Sequence, residues 1–176
     1  FWALHHASCT KLYGGKKIEN YLFKNVSFSY PEVEEKALAD ISFSVHQGEF
    51  LILCGPSGCG KSTLLRHLKT CLTPHGRHEG EILYGGVPLD TVDNRTQAQE
   101  IGFVMQSPEN QVVTDKVWHE LAFGLESLGY DTPTIRRRVA EVAAFFGIEN
   151  WFYKNVTELS GGQKQLLSLA SVMAMN

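Results

Sequence analysis

Two glycine-rich stretches contain the residues of this sequence whose types and spacing best suit chemistry. The first is GPSGCGKST at residues 55–63, and the second is LSGGQ at residues 159–163. Glycines let a backbone bend until several N–H groups point at one anion, a lysine adds positive charge, and a serine adds a hydroxyl ligand. Both stretches therefore predict contacts with phosphate groups.

The first stretch fits the pattern G-x-x-x-x-G-K-[ST] without a gap. Lys61 would reach the β- and γ-phosphates of a nucleotide, and the Ser62 hydroxyl would be a ligand of Mg²⁺. A glycine-rich turn that binds nothing is the alternative, but a predicted strand before the motif and a predicted helix after it favour a phosphate-binding loop, or P-loop. The predicted phosphate-binding residues are Gly55, Pro56, Ser57, Gly58, Cys59, Gly60, Lys61, Ser62 and Thr63.

The second stretch precedes a predicted helix that runs through Gln163 to Met175. Ser160 is placed to cap this helix, and Gln163, three residues later, completes a capping box. Gly161 and Gly162 leave the amides of the first turn uncovered by side chains, so the helix start is a second candidate anion site. A capping box by itself is also a common structural device.

Several strands are predicted in the first part of the chain. Residues 22–30 and 41–45 alternate at strand period, and residues 81–84 predict a further strand. Within residues 22–30, one predicted face consists of Leu22, Lys24, Val26, Phe28 and Tyr30. Two continuous apolar runs, residues 50–54 and 101–105, predict strands buried on both faces of a sheet.

Helices are predicted after these strands. Apolar residues step by three or four from Val117, with Thr114 or Asp115 as the expected N-cap. A second helix is expected to have Thr132 as its N-cap and Pro133 at its first position, and Gly147 would close it. The fold class predicted from these elements is α/β.

Composition limits the classes of function. The chain has 176 residues and a net charge of −3, which is typical of one globular domain and lacks the basic excess of a nucleic-acid binder. No CxxC pair is present, and the closely spaced His75 and His78 lack further ligands, so a metal cluster is not expected. No signal peptide or membrane-length apolar run is visible, which predicts a soluble protein that could still dock on a membrane protein.

The order of the P-loop, Gln106 after a predicted strand, and LSGGQ resembles the ATP-binding cassette of ABC transporters. The resemblance covers roughly residues 22–176, and QSPENQVVTDKVWHELAFGLE is most similar to the energy-coupling-factor branch, the ATPases of vitamin and transition-metal importers. It implies a P-loop sheet core, an antiparallel β piece on the N-terminal side and a helical subdomain near residues 112–170. Residues 1–20 receive no role.

The resemblance also implies roles for particular residues, with ATP and Mg²⁺ as cofactors. Tyr30 would stack on adenine, although by itself it would be interpreted as an ordinary core or surface residue. Lys61 and Gln106 would be catalytic, and Ser62 and Gln106 would contact the metal. In this family the LSGGQ motif closes over the ATP of a second chain in a head-to-tail dimer. The residues assigned to that contact are Ser160, Gly161, Gly162 and Gln163.

Two partners follow from the resemblance: a second ABC ATPase chain, identical or not, and a transmembrane transporter subunit that contacts residues 106–125. Apolar residues in that region either receive the membrane subunit or pack within the helical subdomain, and the sequence leaves both open. They are Val112, Val113, Val117 and Trp118. The expected location is the cytoplasmic face of the cell membrane, as a peripheral protein.

The family continues after the helix that follows LSGGQ, the signature helix, into a strand that ends in Asp-Glu, and this sequence contains no such strand. We therefore expect the chain to be C-terminally incomplete and these residues alone to hydrolyse ATP negligibly, because that carboxylate orients the attacking water. Three alternatives remain: a non-transport cassette of DNA maintenance or repair, a regulatory nucleotide-binding module without turnover, and a P-loop small-molecule kinase, which has no use for LSGGQ.

Overall fold

The computed structural model describes residues 19–107 and 110–175. The chain divides into two compact units, Phe1–Asn94 and Arg95–Asn176. The N-terminal segment without an assigned role, residues 1–20, lies almost wholly outside the described residues. No helix of the described part is long and apolar enough to cross a membrane.

The first unit contains an antiparallel sheet of four strands in the order β2-β1-β3-β4. The strands are β1 (Glu19–Ser29), β2 (Leu38–His46), β3 (Arg77–Tyr84) and β4 (Val87–Pro88). Helix α1 (Lys61–Arg66) contributes Leu64 to the core of this unit. The other buried members of that core are Phe23, Val26, Phe28 and Leu38. The antiparallel β piece expected from the resemblance is therefore confirmed.

Strand β1 changes faces at a bulge around Asn25. Both of its ladders shift register there, and Asn25 has a φ of 50°. Phe23 before the bulge and Val26 after it are both buried, whereas Lys24 is exposed. The prediction that Lys24 shares a face with Val26 is wrong, because the extra residue of a bulge moves the following side chains to the other face.

The second unit is helical. Its helices are α2 (Asn94–Glu100), α3 (Val117–Ser127), α4 (Thr132–Phe146) and α5 (Gly161–Ala174). Helices α3, α4 and α5 share one apolar core. Its most deeply buried members are Val117, Leu121, Leu125, Ile148, Leu167 and Ala170. Gly147 ends α4 with a φ of 65°, as predicted.

Two predicted helix caps are wrong by one or two residues. The N-cap of α3 is Lys116, because the Thr114 and Asp115 side chains have other partners nearby. The N-cap of α4 is Asp131, and Thr132 is already the first helical residue. Neither cap residue makes a side-chain cap hydrogen bond, so packing of the apolar faces defines these starts.

The two continuous apolar runs do not form the buried strands that were predicted. In residues 50–54, Phe50 is 80% exposed and Ile52 is 53% exposed. In residues 101–105, Ile101 is buried but Val104 and Met105 are exposed, and neither run pairs with a strand of the described residues. A strand buried on both faces needs neighbours that satisfy its N–H and C=O groups on both edges. No described segment supplies such neighbours.

Candidate nucleotide-binding site

The predicted P-loop enters α1 through a backbone that only glycine adopts easily. Gly58 and Gly60 have φ values of 83° and 88°. A Cβ atom on Gly60 would lie 2.5 Å from the carbonyl oxygen of Ala37 and 3.2 Å from Leu38 Cδ2. Both its φ and its close approach to the start of β2 therefore require glycine at position 60.

The Lys61 ammonium folds back over its own loop. It donates to the carbonyl oxygens of Gly55 at 2.8 Å and Pro56 at 2.7 Å, and it lies 3.5 Å from Cys59 Sγ. The two oxygens are neutral acceptors in an exposed position. Charged phosphate oxygens form stronger hydrogen bonds with an ammonium group. The Lys61 ammonium is therefore available to exchange the loop carbonyls for a phosphate.

Ser62 has the properties required of a magnesium ligand. It is exposed, and its hydroxyl makes no hydrogen bond within the described part of the chain. Mg²⁺ prefers oxygen ligands and is commonly held by one or two protein oxygens together with phosphates. Gln106, the other predicted ligand, is exposed in the second unit and offers a carbonyl oxygen. Each of the two side chains, taken by itself, thus offers an oxygen of the kind that Mg²⁺ prefers.

Tyr30 is hydrogen-bonded to Thr63, the last residue of the P-loop motif. Its hydroxyl lies 3.0 Å from Thr63 Oγ1, and its ring packs edge-on against Phe28 with centroids 4.8 Å apart. The ring is 37% exposed and lines an open cavity of about 600 Å³. A half-exposed aromatic ring beside a cavity of this size is suited to stacking on a base.

The start of α5 has the capping box that the sequence predicted. Ser160 Oγ accepts from Gln163 N at 3.3 Å, and Ser160 N donates to Gln163 Oε1 at 2.8 Å. Gly161 and Gly162 have no positive φ, and a Cβ atom on either would meet nothing within 4 Å. Neither backbone conformation nor packing in the described residues therefore requires glycine at these two positions.

Glu120 organises the loop before α3, and the sequence analysis missed it. This carboxylate is only 4% exposed. Its Oε2 accepts from Val113 N at 3.1 Å, Thr114 N at 2.9 Å and Thr114 Oγ1 at 3.0 Å. The available signal was a charged residue one position before Leu121, on the apolar face of the helix.

Replacing Glu120 with alanine is expected to lower the free energy of unfolding by about 1–3 kcal/mol, because two backbone N–H groups lose their acceptor. Glu120→Gln keeps one oxygen acceptor and should lose less. Glu126→Ala, on the exposed side of the same helix, is the matched control. Urea unfolding followed by circular dichroism measures all three. Equal stability of Glu120→Ala and Glu126→Ala would contradict a supporting role for the buried carboxylate.

The segment before α3 is joined to the segment before LSGGQ by backbone hydrogen bonds. Val117 N donates to Lys154 O at 3.2 Å, and Val156 N donates to Asp115 O at 2.8 Å. Beyond the Val117–Lys154 bond, Trp118 N donates to the carbonyl oxygen of residue 152 at 3.2 Å. The region expected to meet the membrane subunit is thus physically continuous with the approach to the signature helix.

The predicted membrane-subunit region, residues 106–125, is only partly exposed in the residues that the structure describes. Val113 is 66% exposed, whereas Val117, Leu121 and Leu125 are fully buried in the helical core. Val112 packs against the same core. Two interpretations were open for these apolar residues, packing within the subdomain and contact with the membrane subunit. Val117 packs in the core, whereas Val113 is exposed and available for a partner.

No metal cluster is found among the described residues: no group of three or more histidine, cysteine, aspartate or glutamate side chains could hold a metal ion. His75 and His78 were the pair considered from the sequence. His78 instead contacts His67, at 3.3 Å between ring nitrogens.

The glycine-rich loop that leads into α1, in a chain with both sheet and helices, is typical of the P-loop class of α/β domains. A family model described as ABC transporter matches residues 38–176. The chain belongs to the ABC transporter family.

Several relatives resemble the energy-coupling-factor ATPases, as the sequence analysis expected. The chain is 36% identical over 155 residues to the cobalt import ATP-binding protein CbiO of Syntrophus aciditrophicus. The match covers 86% of this chain and 54% of that protein. The chain is 37% identical over 155 residues to the energy-coupling factor transporter ATP-binding protein EcfA of Syntrophomonas wolfei, with 86% and 55% covered. A putative ABC transporter ATP-binding protein of Bacillus anthracis is 49% identical over 152 residues, with 86% and 28% covered.

A solved structure confirms the fold class. CbiO1 from Clostridium perfringens, described as part of the ABC transporter complex CbiONQ, matches with a TM-score of 0.78 and 28% identity. The match covers 90% of this chain and 62% of CbiO1. The chain thus spans between about a quarter and about a half of the lengths of the three curated relatives named above.

Proposed function

We propose that this chain is the nucleotide-binding part of an ATPase that powers the import of a small molecule across a membrane. In this proposal two ATPase chains meet head to tail, and the α5 start of one chain covers the ATP held by the P-loop of the other. The glycine pair at positions 161 and 162 carries the proposal. The described part of the chain gives no internal reason for those glycines, whereas a triphosphate approaching the first-turn amides would require an uncovered surface.

Each predicted site residue has a role in this scheme. The P-loop backbone and Lys61 bind the phosphates, and Tyr30 stacks on adenine. Ser62 and Gln106 would hold Mg²⁺, which when bound neutralises charge on the β- and γ-phosphates. Gln106 also orients the attacking water. Ser160 and Gln163 keep the start of α5 in position through their capping box.

The direction of transport and the membrane partner are supported by the names of the relatives. CbiO is named as a cobalt import protein and EcfA as an energy-coupling factor transporter protein. We infer a vitamin or a metal ion as cargo and a peripheral position on the cytoplasmic face of the membrane. Exposed Val113 suits contact with an apolar partner surface. The three curated relatives named above are all named as transporter or import ATP-binding proteins, which does not favour the DNA-maintenance alternative.

A crosslinking experiment tests the head-to-tail arrangement in the whole protein, with its native cysteines replaced. Cysteines introduced at Ser57 of one subunit and Ser160 of another should crosslink when ATP and Mg²⁺ are present, and much less without nucleotide. Pairing Ser57→Cys with Thr132→Cys is the matched control, since Thr132, like Ser160, is exposed at the start of a helix. Failure of the 57–160 pair to crosslink under any nucleotide condition would refute the arrangement.

A further inference from the structure

A turn of residues 155–158 leads into LSGGQ and is closed by hydrogen bonds between its first and last residues. Glu158 Oε1 accepts from Asn155 N at 3.1 Å and from Asn155 Nδ2 at 2.7 Å. Glu158 N in turn donates to Asn155 O at 3.1 Å. The shorter distance is typical of a hydrogen bond to a charged acceptor. The Glu158 carboxylate thus fixes both the backbone and the side chain of Asn155.

Asn155 also joins this turn to the loop before α3. It forms an antiparallel β-bridge with Lys116. Backbone hydrogen bonds between residues 117 and 154, and between residues 115 and 156, flank this bridge on both sides. The Asn155 N–H itself donates to Glu158. One residue therefore belongs to both the bridge and the turn.

Apolar packing and hydrogen bonding hold different sides of the turn. Val156 and Leu159 are 6% and 5% exposed and belong to the apolar core of the second unit. The Asn155 and Glu158 residues are exposed. Because water competes for exposed hydrogen bonds, this pair adds little to the stability of the unit. Its more specific effect is on the direction in which the backbone leaves the turn towards Ser160.

The turn lies close enough to α5 to determine where the N–H groups of its first turn point. Only Leu159 separates Glu158 from Ser160, the N-cap of α5. We propose that Asn155 and Glu158 are positioning residues for the contact between LSGGQ and the ATP of a second chain, an inference that rests on the proposed head-to-tail arrangement. Neither residue has to touch the nucleotide. A displacement of about 1 Å in a reacting complex can cost about a hundredfold in rate.

Asn155→Ala and Glu158→Ala in the whole protein should each lower ATP turnover about ten- to a hundredfold and weaken ATP-dependent dimerisation. The dissociation constant of ATP for a single subunit should keep its wild-type value, because the P-loop lies in the first unit. Glu158→Gln keeps an oxygen acceptor for Asn155 and should retain most of the turnover. Phosphate release, sedimentation and titration of a fluorescent ATP analogue measure the three quantities.

Glu149→Ala is the matched control. Glu149 is another exposed carboxylate at a short helical turn of the same unit, Glu149–Trp151. Its removal should leave turnover and dimerisation at wild-type values.

A mixing experiment separates positioning from misfolding. A Glu158→Ala subunit keeps its P-loop, and a Lys61→Ala subunit keeps its α5 start. Mixed dimers then contain one complete site, so dimerisation that requires ATP and Mg²⁺ should return on mixing. A misfolded Glu158→Ala subunit could not supply its P-loop to that site. Absence of recovery would therefore overturn the positioning role.

Gly161→Asp, measured in parallel, distinguishes failure of the positioning role from failure of the head-to-tail arrangement. If Gly161→Asp dimerises and turns over ATP like the wild type, the arrangement fails and the positioning role with it. If Gly161→Asp loses both properties while Asn155→Ala and Glu158→Ala keep them, only the positioning role fails. A loss of single-subunit ATP affinity in the two alanine variants would also overturn it, because the effect would then extend beyond LSGGQ.

Discussion

Replacing Lys61 with alanine is expected to reduce the ATPase activity of the whole protein by a factor of about 10² to 10³, as when one charge-stabilising donor is removed from an active site. The structure explains why this substitution should lower the activity without lowering the free energy of unfolding. The ammonium bonds the exposed carbonyl oxygens of Gly55 and Pro56 and the weak acceptor Cys59 Sγ, so its loss leaves no fully buried group unsatisfied. The free energy of unfolding should change by less than about 0.5 kcal/mol.

Lys24→Ala is the matched control for this substitution. Lys24 forms an exposed ion pair with Glu81 at 3.0 Å, and such pairs contribute little to stability. Its removal should leave both ATP turnover and ATP affinity at wild-type values. Titration of a fluorescent ATP analogue and a phosphate-release assay measure the two quantities. Full turnover by Lys61→Ala would mean that this loop is not the nucleotide site.

Replacing Gly161 with aspartate should have opposite effects on stability and on function. A carboxylate in the first turn of a helix interacts favourably with the helix dipole, and position 161 has open space for a side chain. The free energy of unfolding should stay constant or rise by up to about 1 kcal/mol. A partner's triphosphate would meet a like charge that costs several kcal/mol, so turnover should fall at least a hundredfold.

Thr132→Asp places the same charge on the first residue of α4 and should leave turnover unchanged. A mixing experiment gives a sharper result, because head-to-tail sites are composite. Gly161→Asp subunits keep an intact P-loop, and Lys61→Ala subunits keep an intact α5 start. Mixed dimers then contain one complete site, and nucleotide-dependent dimerisation should return at that site. Absence of any recovery on mixing would argue that each chain completes its own site.

The exposed residues within 106–125 indicate where a membrane subunit would contact this chain. Because Leu121 and Leu125 are fully buried, a membrane subunit would contact the loop around Val113 rather than the apolar face of α3. The Glu120 carboxylate stabilises that loop by accepting hydrogen bonds from the N–H and the hydroxyl of Thr114. A change in the loop would reach the approach to LSGGQ through the hydrogen bond between Val156 N and Asp115 O.

The sequence by itself determined the features that depend on residues close together in the chain. The P-loop needs glycines, a lysine and a serine at consecutive positions, and its backbone has the positive φ values that only glycine accepts easily, as at Gly60. The capping box needs only Ser160 and Gln163, three residues apart, and forms as predicted. Gly147 likewise ends α4 in the left-handed conformation. Local hydrogen bonds and backbone sterics are sufficient in all three cases.

Tertiary structure alone decided the features that depend on a partner distant in the chain. Residues 50–54 look like a buried strand, but strand formation depends on neighbours, and Phe50 is exposed without them. The face change at Asn25 depends on ladders with two other strands. The His67–His78 contact requires α1 and β3 to meet around Phe28, because only folding brings the two rings together. Such pairings are decided by the free energy of packing the whole unit, which no local pattern of residues reports.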